Sequence, residues 1–351
     1  NSKLLLNSIT LSSASTSADS LGLDVNADST VTALSIGHIT PITIATGKSL
    51  SGAIAVTAGS IKMNETGTLA STIAMSGGTL DADETLTVSG ALSHSADIAI
   101  DVATGKTLSY SGAAVNLGAK TLTLIGGGTL DNTNALVLNN AISKLQLDSI
   151  ILSNASTTAD SLGLDVNADS TVTALSVGHI TPISIATGKT LSGAITVTAG
   201  SLKLNETGTL ASTVTMSGGT LDADETLTVS GALSQTADIA IDVATGKILT
   251  YSGAAVNLGA KTLTLSGGGT LSNTNALVLN NADSLLSLDD SLTVGLASVT
   301  VGSNVGKGLA VNESSTISSL KVTANTELKV AQGKVLSGST EVAAATNLKL
   351  S

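Results

Sequence analysis

The chain contains no cysteine, tryptophan, phenylalanine or arginine, and its only phenol side chains are Tyr110 and Tyr251. Each absence excludes something. Without cysteine there is neither a disulfide framework nor thiol chemistry. The bases are lysines and three histidines, and the formal net charge is −11, so the surface repels phosphate backbones and nucleic-acid binding is set aside. No run of about 18 apolar residues occurs, so no transmembrane helix is expected. The lack of aromatics also counts against a transmembrane barrel, whose interfacial girdles are built from them. A globular chain of 351 residues would normally fill its centre with some aromatic side chains, because each buries a large area. A core made only of Leu, Val, Ile and Ala points instead to a narrow interior of uniform width, as in a solenoid.

What is present is aliphatic and repetitive. Hydrophobic residues make up 42% of the chain, enough to bury ample surface, so disorder is a poor reading. Gly, Ser, Thr, Asn and Asp fill much of the rest and supply turns. Two periods are nested. Ser20–Leu34 recurs at Ser161–Leu175, Met75 at Met216 and Tyr110 at Tyr251, always 141 residues on. The copies are nearly identical from Leu21 to Ala141 and from Leu162 to Ala282. Within each copy, lines of 17 to 23 residues open on an apolar-x-apolar triplet, pass a small polar corner such as Ala45–Lys48, and continue through one or two further apolar patches. Strict alternation over three to five residues between corners predicts short strands rather than helices. A line of about 20 residues with two or three strands is one coil of a parallel β-solenoid.

The expected fold is therefore all-β, a single parallel β-helix of about 17 coils over residues 1–351, near ~80 Å long at one strand spacing per coil. Residues 21–161 form a first seven-coil block, 162–284 a second, and 285–351 divergent continuing coils. The uneven coil length favours the right-handed form over left-handed solenoids with strict six-residue sides. A sandwich of hairpins is the bland alternative, but it leaves the likeness between lines unexplained, and Asn-Gly and Asp-Gly hairpin turns are absent. Pro41 and Pro182 fall at line starts, where a missing N–H is tolerated. Neither terminus carries a signal peptide or the charge-rich or helical look of a cap, so both read as cuts through a repeating structure.

Few residues invite a chemical reading. Ala45–Ser49 and Ala103–Thr107 echo the end of a phosphate-binding loop, but the upstream Gly is missing, so they read as corners with a left-handed Gly and a Lys facing water. Asp24–Ser29 and Asp165–Ser170 resemble half a calcium loop, with Ser35 and Ser176 where the closing acid would stand. The weak Ca²⁺ candidates are Asp81, Asp83 and Glu84, and their counterparts Asp222, Asp224 and Glu225, against the simpler reading of a solvated acidic turn. No other cofactor is expected. His38 and His179 sit beside turns, and His94 becomes Gln235 in the second copy, which is poor provision for catalysis. Asn139, Asn140, Asn280 and Asn281 read as structural corner amides. Asn64, Asn154, Asn205 and Asn312 stand in formal glycosylation sequons. Outward positions mix Thr with Ser, Ala, Asp and Lys, unlike a uniform Thr array that would suit ice.

The small-polar, aromatic-poor, arginine-free runs such as Gly77–Leu80 and Leu86–Ser93 resemble the repetitive passenger regions of bacterial autotransporters and filamentous-haemagglutinin-type adhesins. They are similar also to the strand-repeat segments of giant bacterial surface proteins. The resemblance is one of composition and rhythm along the whole chain. It implies an extracellular or cell-surface β-helix acting as a stalk, adhesin shaft or filament, and not an enzyme. Duplicating a block adds length and copies every surface feature, whereas catalysis needs one site. The partners expected are further copies of the chain, stacked end to end through terminal coils, and a host-cell or neighbouring-cell surface. An extracellular binding module for Ca²⁺, glycan or ice is the alternative.

Overall fold

The computed structural model describes residues 2–301, 305–344 and 346–351, and among them every regular element is a strand. The chain divides into two compact units, Asn1–Leu175 and Ser176–Ser351. It is an all-β solenoid of about 17 turns, with parallel strands stacked in coils of about 20 residues.

The unit Asn1–Leu175 shows how the alternation in sequence becomes a coil. Each coil contributes one strand to a first sheet: Lys3–Leu6, Gly22–Val25, Thr40–Ile44, Ser60–Met63, Thr79–Ala82, Ile98–Val102, Thr121–Ile125, Lys144–Leu147 and Gly163–Val166. Along these strands buried and half-buried residues alternate, as the two-residue repeat of a strand requires. Registered pairing then lines up the inward side chains. Ile61 faces Leu80, Leu80 faces Ile100, Ile100 faces Leu124, Leu124 faces Leu147, and Leu147 faces Val166. Every member of that file is at most 3% exposed. Apolar side chains stacked at one strand spacing fill a narrow interior without large rings, which is how the chain forms a core with almost no aromatics.

The remaining strands form a second sheet that turns a corner. Ser29–Ile36 buries Val31 and Leu34 but exposes Thr32 and Ala33 between them, so its inward phase slips at the bend. The strand below, Ser49–Val56, makes the same bend with one residue fewer, because Val31 pairs with Gly52 and Leu34 with Ile54. Gly52 is what lets the two backbones close up. Its φ is +118°, and a Cβ there would lie 1.9 Å from the carbonyl oxygen of Val31.

The unit Ser176–Ser351 builds its first sheet from the equivalent strands Thr181–Ile185, Ser201–Leu204, Thr220–Ala223, Ile239–Val243, Thr262–Ser266 and Leu285–Leu288. The divergent coils add Val305–Val311, Thr326–Val330 and Leu348–Leu350. They reuse the corner device with different residues. Gly338, at φ +117°, stands 1.7 Å in Cβ terms from the Ile317 carbonyl oxygen where the register of Ser315–Val322 over Leu336–Val342 slips. Pro41 and Pro182 are second residues of their strands, close to the line starts the sequence indicates.

Two substitutions test this account. Leu124→Ala should cost about 2–5 kcal/mol, because packed neighbours on both sides collapse only partly into the void. Amide exchange should accelerate most in the coils around Ile100 and Leu147, since coils contact only their neighbours. Gly52→Ala should loosen the corner at Val31–Leu34, read as faster exchange there than at Leu124.

Candidate functional site

The polar side chains fasten coil to coil. The acidic corner Asp81–Glu84 follows directly on the inward Leu80 and Ala82, so Asp81 and Asp83 both face outward over the coil before. Lys62 Nζ lies 3.2 Å from Asp81 Oδ2 and 2.8 Å from Asp83 Oδ2. Glu84 reaches the coil after, with Oε2 2.6 Å from Lys106 Nζ. The second copy repeats the set: Lys203 lies 3.2 Å from Asp222 and 2.7 Å from Asp224, and Lys247 lies 2.6 Å from Glu225. All six carboxylates proposed for weak Ca²⁺ binding therefore already hold a lysine. Among the described residues, no group of three His, Asp or Glu is placed to hold a metal ion.

The electrostatics of this corner follow from its half-buried position. Burial pushes the Asp81 carboxyl up from its usual value, and the hydrogen bond from Lys62 pulls the other way without cancelling it. Asp222 behaves alike, raised by burial and opposed by Lys203. Lys62 is itself raised, first by its hydrogen bond to Asp83, against the opposing effect of its own burial. Both shifts make the folded state hold protons more tightly, so both contributions weaken as pH rises: that of Asp81 just above its ordinary 3.8, that of Lys62 above 10.5.

The Gly-Lys corners bear on the same pattern. Gly47, Gly105, Gly246 and Gly333 are left-handed, as a tight corner requires. Lys48 faces water, but Lys106, Lys247 and Lys334 fold back across one coil to Glu84, Glu225 and Glu313, each at 2.6 Å. The half calcium loop is likewise engaged in stacking. Asp24 pairs with Lys3 at 2.5 Å, Asp165 pairs with Lys144, and Asp28 Oδ1 accepts the Ser49 N–H at 2.8 Å. Asp97 and Asp238 accept the N–H groups of Thr121 and Thr262, both at 2.8 Å.

The histidines and asparagines are dispersed along the coils. His38 is exposed, with Nδ1 3.9 Å from Asp19. The ring of His94 donates from Nδ1 to the Ala96 carbonyl at 3.0 Å, and Gln235 in its place donates to the Leu258 carbonyl at 3.1 Å. Asn139 and Asn280 accept from Gly118 and Gly259 one coil away, at 2.8 and 2.9 Å. Asn140 and Asn281 accept from Ile142 and Asp283 two residues on, as corner amides do.

Two buried polar features escape a reading by motif. Tyr110 lies inside the coil, 3% exposed, with its hydroxyl donating to the Ala113 carbonyl at 2.7 Å and accepting from the Leu92 N–H at 3.0 Å. Burial pushes its phenol up. Asn132 is fully buried, donating to the carbonyls of Asn134 and Asn154 at 2.9 and 2.7 Å and accepting the Asn154 N–H at 3.1 Å. The signal was available in the alternation, since an Asn at an inward position two residues after Leu130 needs local partners.

The surface offers no convergent chemistry beside these fastenings. A groove of about 530 Å³ on the second sheet is lined by small residues, among them Ala14, Ser15, Ser35, Ala55 and Ala74, and by no ionisable side chain. Comparison with known protein families, with curated proteins and with solved structures finds no match to this chain.

Replacing Lys62 with Met should leave Asp81 half-buried and without its counter-ion. Its carboxyl should then titrate at higher pH than in the parent, read by carbon-13 NMR, while stability at pH 7 falls by no more than about 1 kcal/mol because the pair is partly solvated. An Asp81 titration unmoved by the change would contradict the pairing described.

Proposed function

We propose that this chain is a structural shaft, a length of extracellular stalk, adhesin or filament that carries no enzymatic activity. The observation that supports this most is how its charges are used. Nearly every ordered ion pair joins one coil to a neighbouring coil, and the two copies repeat them at matching distances: Lys62–Asp81 and Lys203–Asp222 at 3.2 Å, Lys106–Glu84 and Lys247–Glu225 at 2.6 Å. A polar group committed to stacking is not free to meet a substrate. Repeating the whole pattern 141 residues on multiplies length and periodic surface, which a shaft uses and a catalyst does not.

The reading includes assembly with further copies, coil against coil, and display at a cell surface. Its support is the chemistry of the outermost described coils. Leu4, Leu5 and Ile9 on one, and Val335, Val342 and Leu350 on the other, are 38 to 70% exposed, whereas inward Leu and Val between them are buried. A head-to-tail contact of this kind does not close on itself and yields filaments.

Electron microscopy of the purified chain at rising concentration tests this. The expected result is filaments whose length grows with concentration and whose diffraction shows a layer line near ~4.8 Å, the strand spacing along the axis. A sharply monodisperse monomer at millimolar concentration would overturn assembly through these coils.

A further inference from the structure

We propose that the coil of residues 2–20 is a docking face for one further β-coil of the kind formed by residues 121–141, added edge to edge in parallel. As an account of what this surface is for, it rests on the coil-against-coil stacking proposed above. The complementarity itself stands on a comparison within the chain. Aligned without gaps, residues 2–20 and 143–161 are identical at 14 of 19 positions. Their backbones agree at an unusual point. Ser8 and Ser149 have φ of 58° and 60°, the only positive values at non-glycine positions among the described residues.

Their downstream faces agree bond for bond. The carbonyls of Ser2, Leu6 and Ile9 accept the N–H groups of Leu21, Asn26 and Thr30 at 3.0, 3.0 and 2.9 Å. Those of Ser143, Leu147 and Ile150 accept from Leu162, Asn167 and Thr171 at 3.0, 2.9 and 2.9 Å. Lys3 pairs with Asp24 as Lys144 pairs with Asp165.

The opposite faces differ only in being covered. Over residues 143–161 lies the coil 121–141: Leu122 faces Leu145, Leu130 faces Leu152, and Leu136 faces Ala155. Asp148, Ile151 and Thr158 donate their N–H groups to Leu124, Gly128 and Leu138 at 2.9, 3.0 and 2.9 Å. Leu145 and Ile150 are consequently 0 and 1% exposed, whereas their counterparts Leu4 and Ile9 are 38 and 44% exposed. Strand Lys3–Leu6 pairs with Gly22–Val25, and the amides of Asn7, Thr10 and Ser17 stand where Asp148, Ile151 and Thr158 stand. The partner's chemistry is thereby specified: parallel strands with inward leucines at the spacing of Leu122, Leu124, Leu130 and Leu136, and carbonyls directed along the axis.

One position is imperfect. Asn154, which meets Asn132, corresponds to Ser13. Two of the three bonds at that contact use only the main chain of residue 154, so Ser13 keeps them. The third, from Asn154 Nδ2 to the Asn132 carbonyl at 2.8 Å, is lost.

The test extends the full chain at its amino end with the sequence of residues 121–141, so that the added coil meets Asn1 as Ala141 meets Ile142. A scrambled extension of the same composition serves as control. Amide exchange is measured in dilute monomer. The expected result is slowing of Asn7, Thr10 and Ser17 on the order of tenfold or more with the true coil and not with the scrambled one, as docking closes those amides against water. Ser13→Asn should raise the melting temperature of the extended chain and leave the parent unchanged. Equal exchange with both extensions, with Ser13→Asn neutral in both chains, would overturn the proposal. A chain that protects these amides with the added coil but never forms filaments would overturn assembly and leave the docking face standing.

Discussion

The structure depends on one constraint: every coil must hydrogen-bond, in parallel and in register, to the coil about 20 residues away. Parallel strands cannot close a ladder through a tight turn, so a chain that stacks them in sequence has to travel once around before it can pair. The circuit sets the repeat length, and the pairing sets where side chains face. Once Leu80 is paired with both Ile61 and Ile100, an inward residue in one coil requires an inward residue at the matching point of the next. The aliphatic files, the narrow core and the dispensability of aromatics all follow.

The same constraint explains what happens to polar groups. Outward side chains of adjacent coils lie one strand spacing apart, which brings opposite charges within contact range and places hydroxyls against carbonyls. Lys62 between Asp81 and Asp83, Lys106 on Glu84, and Thr46 on Thr66 at 2.7 Å are instances of a single geometry. Individually such exposed pairs contribute little. Their effect is on register, because a coil displaced by one residue would turn its Leu file outward and separate each lysine from its acid.

Most of the fold was legible in sequence because the coil is written in local alternation and in repetition. The inward residues Ile42, Leu80 and Leu124, the left-handed corners at Gly47 and Gly105, and the strand-start prolines could all be placed from pattern alone. The fastening role of Asp81–Glu84 was not legible. A cluster of carboxylates looks the same in sequence whether it faces a metal or a lysine, and the deciding partner, Lys62, lies a whole coil away. The bend at Thr32–Ala33 was equally hidden, since it depends on a coil with one residue more lying over Gly52. Asn132 could have been noticed as a polar residue in an inward phase, but its partner Asn154 belongs to the next coil.

Near-identical blocks raise a difficulty that the unequal coils resolve. If every coil were the same, any one could stack on any other, and a slip by one coil would cost little beyond the ends. Here the coils differ in length and carry private contacts. Asn132 fits the coil that contains Asn154, and Tyr110 reaches Leu92 and Ala113 but has no such reach to offer elsewhere. In the second copy the counterpart Asn273 is still fully buried, yet Gly295 replaces the asparagine below it and its Oδ1 is left without a hydrogen-bond partner. Buried amides are costly when unmatched. The divergence that begins near Leu285 therefore removes a register lock while keeping the leucine files, so specificity of stacking is set by a few irregular positions laid over a uniform apolar interior.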